Sequence, residues 1–176
     1  MKKVYISGPL TNLPNGDMLK AFYEQIGVVC SRLNMQPYIP HQHSDPILHP
    51  EISPQAIYDL DRTNVVSAEL VIAYVGVPAL GVGQEIEIAK QHNIPVILVY
   101  ELGCSVTRMV RGNPIVAAEV VGRDFNHIVA QLEQILPNLT KASVEVESNH
   151  HIRELQRIIA GPSSTLSHIG PSAQAV

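Results

Sequence analysis

Two stretches of this chain, Leu70–Val75 (LVIAYV) and Pro95–Tyr100 (PVILVY), are apolar at every step, with no alternation of apolar and polar residues. A strand with one wet face alternates; a short continuous apolar run between turn signals is a strand covered on both faces, as in a parallel sheet with helices above and below. The rest of the chain supplies those helices. Lys3–Ser7 (KVYIS) reads as a first strand ending at Gly8-Pro9. Leu19, Phe22, Ile26, Val29 and Leu33 then recur at three- and four-residue steps, the stripe of a helix packed on a sheet. Gln36–Ile39 (QPYI) is a short second strand closed by Pro40, and residues 40–53, with three prolines and three histidines, read as a loop. A helix is expected over Pro54–Ser67, with Ser53 as N-cap and proline at its first position. Gly81–Gln91 reads as a further helix and Ile115–Val121 as a fifth strand. A closing helix from Asp124 shows Phe125, Ile128, Val129, Leu132 and Leu136 on one face.

Strand and helix in alternation imply right-handed crossovers, so the expected fold is α/β: a doubly wound five-stranded parallel sheet of Rossmann-like or flavodoxin-like type. One domain is expected over residues 1–140, followed by a C-terminal extension over 141–176. That extension contains a short helical pattern at 147–159 and a Ser/Pro/Gly-rich tail. Ligands of such sheets bind beyond the carboxyl ends of the strands, which selects the loops at 8–16, 40–53 and 76–83.

Composition narrows the function classes. Hydrophobic residues make up 45% and charged residues 16%, and the formal charge is −4 with no Lys/Arg-rich stretch, which argues against a nucleic-acid surface. No apolar run approaches the roughly 18 residues needed to span a bilayer. The start, MKKVYISG, runs straight into a strand and lacks the pattern of a signal peptide. Cys30 and Cys104 have no CxxC spacing and read as buried thiols of a reducing compartment, so a cytoplasmic protein is expected.

The chemistry concentrates between Asp61 and Glu87, DRTNVVSAELVIAYVGVPALGVGQEIE. A buried strand runs into Gly81-Val82-Gly83, where the backbone can approach a ligand closely, and then into a helix whose first turn is expected to hold Glu85. The helix dipole at that place favours an ionised carboxylate by roughly 0.3–1 kcal/mol, as a nucleophile requires. Taken alone, the pattern favours a glutamate that merely satisfies the dipole, and an isolated Asp61 beside Arg62 reads as a solvated helix residue. Dinucleotide and P-loop readings fail, because neither GxGxxG nor GK[ST] occurs. Glu87 is a rival nucleophile, but two residues on it faces another side of the helix. His41, His43 and His49 with Asp45 invite a metal reading, against which stand the three prolines of the same loop.

YISGPL at the N-terminus, Asp61, LGVGQEIEIA and TRMVRGN at 107–113 together resemble the nucleoside 2-deoxyribosyltransferase superfamily, which includes deoxynucleoside 5'-monophosphate N-glycosidases. The resemblance runs in order over residues 3–136 and implies the same fold. It implies Glu85 as the nucleophile and Asp61 as the residue that serves the base and its proton. It places Tyr5 and Gly8 in the loop bordering sugar and base. From the residues themselves, Gly81 and Gly83 are the turn at the substrate, and His41 or His43 is the candidate for contact with the base. By the same resemblance, Thr107 and Met109 fall in a segment that reaches a neighbouring subunit's site. The implied partners are a small deoxynucleoside and a free nucleobase, in a homo-oligomer with shared sites, needing no metal, cofactor, nucleic acid or membrane. This sequence departs from the pattern where the monophosphate enzymes hold a 5'-phosphate. Pro9 and Thr11 replace a serine and an arginine of the first loop, and Ala79 stands where that branch has a serine and the transferases an aspartate. Charge-assisted hydrogen bonds are worth roughly 1.5–3 kcal/mol each, so their loss disfavours a dianionic phosphate even though Arg111 remains.

Overall fold

The computed structural model describes residues 1–138 apart from 12 and 14. The expected boundary at residue 140 and the extension over 141–176, with its short helix, lie outside the described residues. Strands β1 (Lys2–Ser7), β2 (Met35–Tyr38), β3 (Leu70–Tyr74), β4 (Val96–Glu101) and β5 (Val116–Gly122) form one sheet in the order β2-β1-β3-β4-β5. Every neighbouring pair is parallel. Parallel neighbours cannot be joined by a hairpin, so helices make the crossovers. They are α1 (Gly16–Arg32), α2 (His41–Ser44), α3 (Pro54–Val66), α4 (Leu80–Gln91) and α5 (Arg108–Arg111). A closing helix, α6, covers residues 125–138. The doubly wound five-stranded parallel sheet expected from the apolar runs is the fold found.

Strand side chains alternate between the two faces. Tyr5, Val71, Ala73, Val75, Val96, Leu98 and Tyr100 pack with Val65, Val82, Ile86 and Ala89 of α3 and α4. The intervening Tyr74 packs against rings from the other helices: Phe22 of α1 and Phe125 of α6 stack at 4.4 Å, and Tyr74 meets each of them edge-on. All five residues of β3 are buried, and each such Val, Leu or Ile stabilises the fold by roughly 1.5–3 kcal/mol. The sheet reverses direction between β1 and β3, where β2 lies to one side and β3 to the other. That switch point is where a doubly wound sheet opens a crevice.

Local chemistry sets the helix ends. Ser53 caps α3, its hydroxyl accepting from Ala56 N at 3.2 Å, with Pro54 at the first position. Asp124 caps α6 by accepting from His127 N at 2.7 Å. Two expectations need correction. The stretch at 40–53 is not loop throughout, because His41–Ser44 makes one helical turn, with Ser44 Oγ donating to the Pro40 carbonyl. Buried Asp45 follows, paired with Lys20 and accepting the backbone N–H groups of Ile47 and Leu48, which ties this segment to α1. Of the thiols, Cys30 is buried and pushed up to about 12 by that burial, whereas Cys104 is only half-buried; both are free. Among the described residues no helix is long and apolar enough to cross a membrane.

Gly8 stands where β1 leaves the sheet, and packing demands a glycine there. A Cβ would lie 2.3 Å from Cζ of the buried Tyr23, whose hydroxyl donates to the Pro9 carbonyl at 3.3 Å. Gly8→Ala is therefore expected to cost about 1–3 kcal/mol, read as a lowered Tm in thermal denaturation. An unchanged Tm would show that the first loop is not seated on Tyr23.

Candidate active site

Tyr5 and Ser7 are two residues apart on β1, so both leave the sheet on the face that α3 and α4 cover. Each is fully buried. From α4, Glu85 reaches both: Oε1 accepts the Tyr5 hydroxyl at 2.7 Å and Oε2 accepts the Ser7 hydroxyl. The carboxylate is thus fixed at both oxygens by neutral donors. Burial pushes the Glu85 carboxyl up to about 7, the Ser7 and Tyr5 hydroxyls pull it back, and the charge of Asp61 adds to the rise.

Asp61 enters from α3, which packs on α4. It is half-buried, its Oδ1 is buried without a partner, and burial pushes its carboxyl up to about 6 against a pull from the Tyr5 hydroxyl. Tyr5 itself is held well above the usual tyrosine range, first by burial and then by the charges of Glu85 and Asp61. Two acids with pKa values displaced into the neutral range, sharing one tyrosine, form a pair that can attack an electrophilic carbon and protonate a leaving group.

The second wall is aromatic. Tyr38, opposite Tyr5 in the β1–β2 register, stacks on the Tyr5 ring at 5.6 Å and on His43 at 4.7 Å. Its hydroxyl is buried without a partner, and burial, followed by the charges of Asp61 and Glu85, pushes it up to about 12.

The structure therefore brings Tyr5, Asp61 and Glu85 together, sets His43 beside them through Tyr38, and leaves Gly8 at the end of the same strand. The expected dipole argument fails. Helix α4 begins at Leu80, so Gly81 and Gly83 are its first turn rather than a turn before it, and Glu85 lies a turn further in. The hydroxyls of Tyr5 and Ser7, not the helix end, oppose its protonation. A Cβ at Gly81 or Gly83 would meet nothing within 4 Å, so packing does not explain either glycine. Thr107 and Met109 stand elsewhere. Thr107 lines an apolar groove of about 720 Å³ with Ala79, Leu80, Gly83 and Val110, along a flank of α4 that does not include Glu85. Met109 is 88% exposed. Glu87 sits on that flank and is held by Lys90 at 2.9 Å and Asn113 at 3.5 Å. The histidines diverge: His41 points to Glu24 at 3.2 Å and His49 to Glu51 at 3.4 Å. No group of three His, Cys, Asp or Glu side chains able to hold a metal gathers among the described residues. Sequence reasoning missed Ser7 and Tyr38. A serine at the inward period of a buried strand was the available signal for the first; Tyr38 gave none, because strand register alone pairs it with Tyr5.

Fold and site together are a parallel α/β sheet with a carboxylate pair beside its switch point, and comparison with known proteins adds to this. No protein-family profile matches the chain. Proteins of Syntrophotalea carbinolica and Methanosarcina barkeri, each provisionally named 2'-deoxynucleoside 5'-phosphate N-hydrolase 1, are 41% and 42% identical over 61 and 60 residues. Each match covers 34% of this chain, and 43% and 38% of the relatives, so the chain spans about two fifths of the curated relatives it matches. Among solved structures, a CMP N-glycosidase of Clostridium botulinum aligns with a TM-score of 0.59 at 17% identity, over 76% of this chain and 98% of that one. A 2-deoxyribosyltransferase of Bacillus psychrosaccharolyticus aligns at 0.53 with 18% identity, over 72% and 90%. The chain thus resembles the nucleoside 2-deoxyribosyltransferase superfamily, in sequence over one segment and in fold over the whole sheet.

Burying two carboxylates has a stability signature. A carboxyl whose folded pKa is raised favours folding fully below its unfolded pKa and loses that contribution as pH rises through the folded value. Glu85→Gln is therefore expected to keep or raise Tm above pH 7, with the advantage over wild type vanishing near pH 4. A lower Tm for the variant at pH 8 would show that the ionised Glu85 is instead a net stabiliser.

Proposed function

We propose that this chain cleaves the N-glycosidic bond of 2'-deoxynucleosides through Glu85 and hands the deoxyribosyl group to a second nucleobase. The observation that carries this reading is the Glu85 carboxylate, held at both oxygens by Tyr5 and Ser7 and facing a second, protonatable carboxyl on Asp61. A Glu85 oxygen attacks C1', the C1'–N bond breaks, and its electron pair leaves with the base, which takes the proton of Asp61. An incoming base then attacks C1' from the vacated side and releases Glu85, while Asp61 recovers a proton from it; two displacements give retention. The cation-like transition state favours a 2'-deoxy sugar, because a 2'-hydroxyl withdraws electrons from C1'. Pro9, Thr11 and Ala79 offer no charge to a 5'-phosphate, and Ala79 lies in an apolar groove, so free nucleosides are the expected substrates.

A second reading sends the glycosyl-enzyme to water, as the names of the curated relatives favour. Incubating deoxyadenosine or deoxyinosine with and without cytosine separates the two: exchange needs the acceptor, and hydrolysis releases base without it. A higher kcat/KM for deoxynucleoside monophosphates than for nucleosides would overturn the choice of substrate. The productive form carries one proton on the pair, on Asp61 with Glu85 ionised; with Glu85 at about 7 and Asp61 at about 6 it is the less populated of the two singly protonated forms, and kcat/KM is expected to trace a bell centred between pH 6 and 7. Ser7→Ala removes a donor to the ionised form of Glu85, the weaker acid of the pair, and so moves the alkaline limb upward while lowering the maximum. Glu85→Gln loses about 10³-fold or more while folding normally. Near-normal turnover by that variant, or a flat pH profile, would remove Glu85 from the reaction.

The same reading includes a homo-oligomer with shared sites in a reducing, cytoplasmic setting. Leu80, 90% exposed, lines the apolar groove together with Thr107, and Met109, 88% exposed, belongs to the same short helix as the groove's Val110; exposed apolar ground of this kind favours a partner surface. Mixing Glu85→Ala with Thr107→Arg subunits is expected to restore activity that each alone lacks. A fully active monomer by mass measurement in solution would refute sharing.

A further inference from the structure

Tyr38 has a property that the cleavage chemistry does not use. Its ring runs nearly parallel to two others, Tyr5 at 5.6 Å and 17° and His43 at 4.7 Å and 8°. The Tyr38 hydroxyl, at the edge of that ring, is buried with no hydrogen-bond partner. Asp61 Oδ1, close enough for its charge to act on that hydroxyl, is also buried and also unpartnered. A buried polar atom left without a partner costs about 1–3 kcal/mol, and two of them beside one nucleophile are a standing cost that a bound molecule removes. The occupant must bring at least two hydrogen-bonding atoms on one edge.

We propose that Tyr38 is a specificity residue of the Glu85 site, donating its hydroxyl hydrogen bond in the plane of the ring to an acceptor on the departing nucleobase while Asp61 serves a neighbouring nitrogen. The proposal rests on the reading of Glu85 and Asp61 as the pair that cleaves the glycosidic bond. The ligand atom is an acceptor, a ring carbonyl or an unprotonated ring nitrogen, because the phenol stays neutral with its pKa pushed up to about 12. A phenol hydroxyl donates in the plane of its ring, so Tyr38 meets an acceptor on the edge of the base. A leaving group without such an acceptor gains nothing from it. Discrimination built on a buried hydrogen bond is steep, since the wrong ligand leaves the site's own polar atoms unpaired.

Tyr38→Phe keeps the ring, the stack and the burial, and removes only the hydroxyl. On deoxynucleosides it is expected to lower kcat/KM about tenfold or more. On 4-nitrophenyl 2-deoxyriboside, whose leaving group has no base edge, it is expected to change kcat/KM less than about twofold. Tm without substrate is expected to hold or rise, because the deleted hydroxyl has no partner in the protein. An equal loss on both donors, or a fall in Tm, would make Tyr38 a packing residue and overturn the proposal. Unchanged deoxynucleoside kinetics in the variant, with wild type active, would overturn it alone. If wild type turns over neither donor and forms no adduct at Glu85, the proposed cleavage falls first and this inference with it.

Discussion

The site depends on how β1 spends its alternation. Val4 and Ile6 fill one side of the sheet, and Tyr5 and Ser7 leave on the other, where two hydroxyls meet the two oxygens of Glu85. A carboxylate at that depth without donors would simply be protonated. With them its pKa stays near neutrality, and a group that is half ionised at working pH can be a nucleophile. The same pair of hydroxyls draws α4 against β1 across the switch point of the sheet, so the crevice and its chemistry arise from one contact.

Around that contact, neighbours act through Tyr5. It donates to Glu85, reaches Asp61, and stacks on Tyr38, which in turn stacks on His43. One strand, two helices and the segment after β2 are thereby coupled through a single buried phenol. The segment after β2 is not free to drift, because Lys20 and the buried Asp45 fasten it to α1 and the Asp45 carboxylate closes the turn at Ile47 and Leu48. His43 keeps its place over Tyr38 for that reason, although its own side chain is exposed.

Beyond the site, α4 has a second flank with a different character. Glu87 there is held by Lys90 and Asn113, and the groove beside it is apolar and open. Glycines at 81 and 83 carry no steric requirement from the protein itself. A helix that begins with two glycines gives up about 0.5–1 kcal/mol at each relative to alanine, which packing within one chain does not recover.

The amino-acid sequence determined the fold because its information is local. The apolar runs at 70–75 and 95–100 admit only strands buried on both faces, and the stripe from Leu19 to Val29 admits only a helix laid on them. Glu85 and Asp61 were favoured candidates only through the resemblance, and the structure sets both beside Tyr5. Ser7 and Tyr38 were not candidates, since a serine in a buried strand or a tyrosine at a strand end means nothing until register sets Tyr38 beside Tyr5 and alternation sets Ser7 beneath Glu85. The protonation of Glu85 also escaped the sequence. A residue read as sitting at a helix start was expected to owe its charge to the dipole, and in the folded chain it lies a turn deeper, where burial and two hydroxyls oppose each other. Burial, register and the meeting of side chains eighty residues apart are properties of the packed chain, and only tertiary structure decides them.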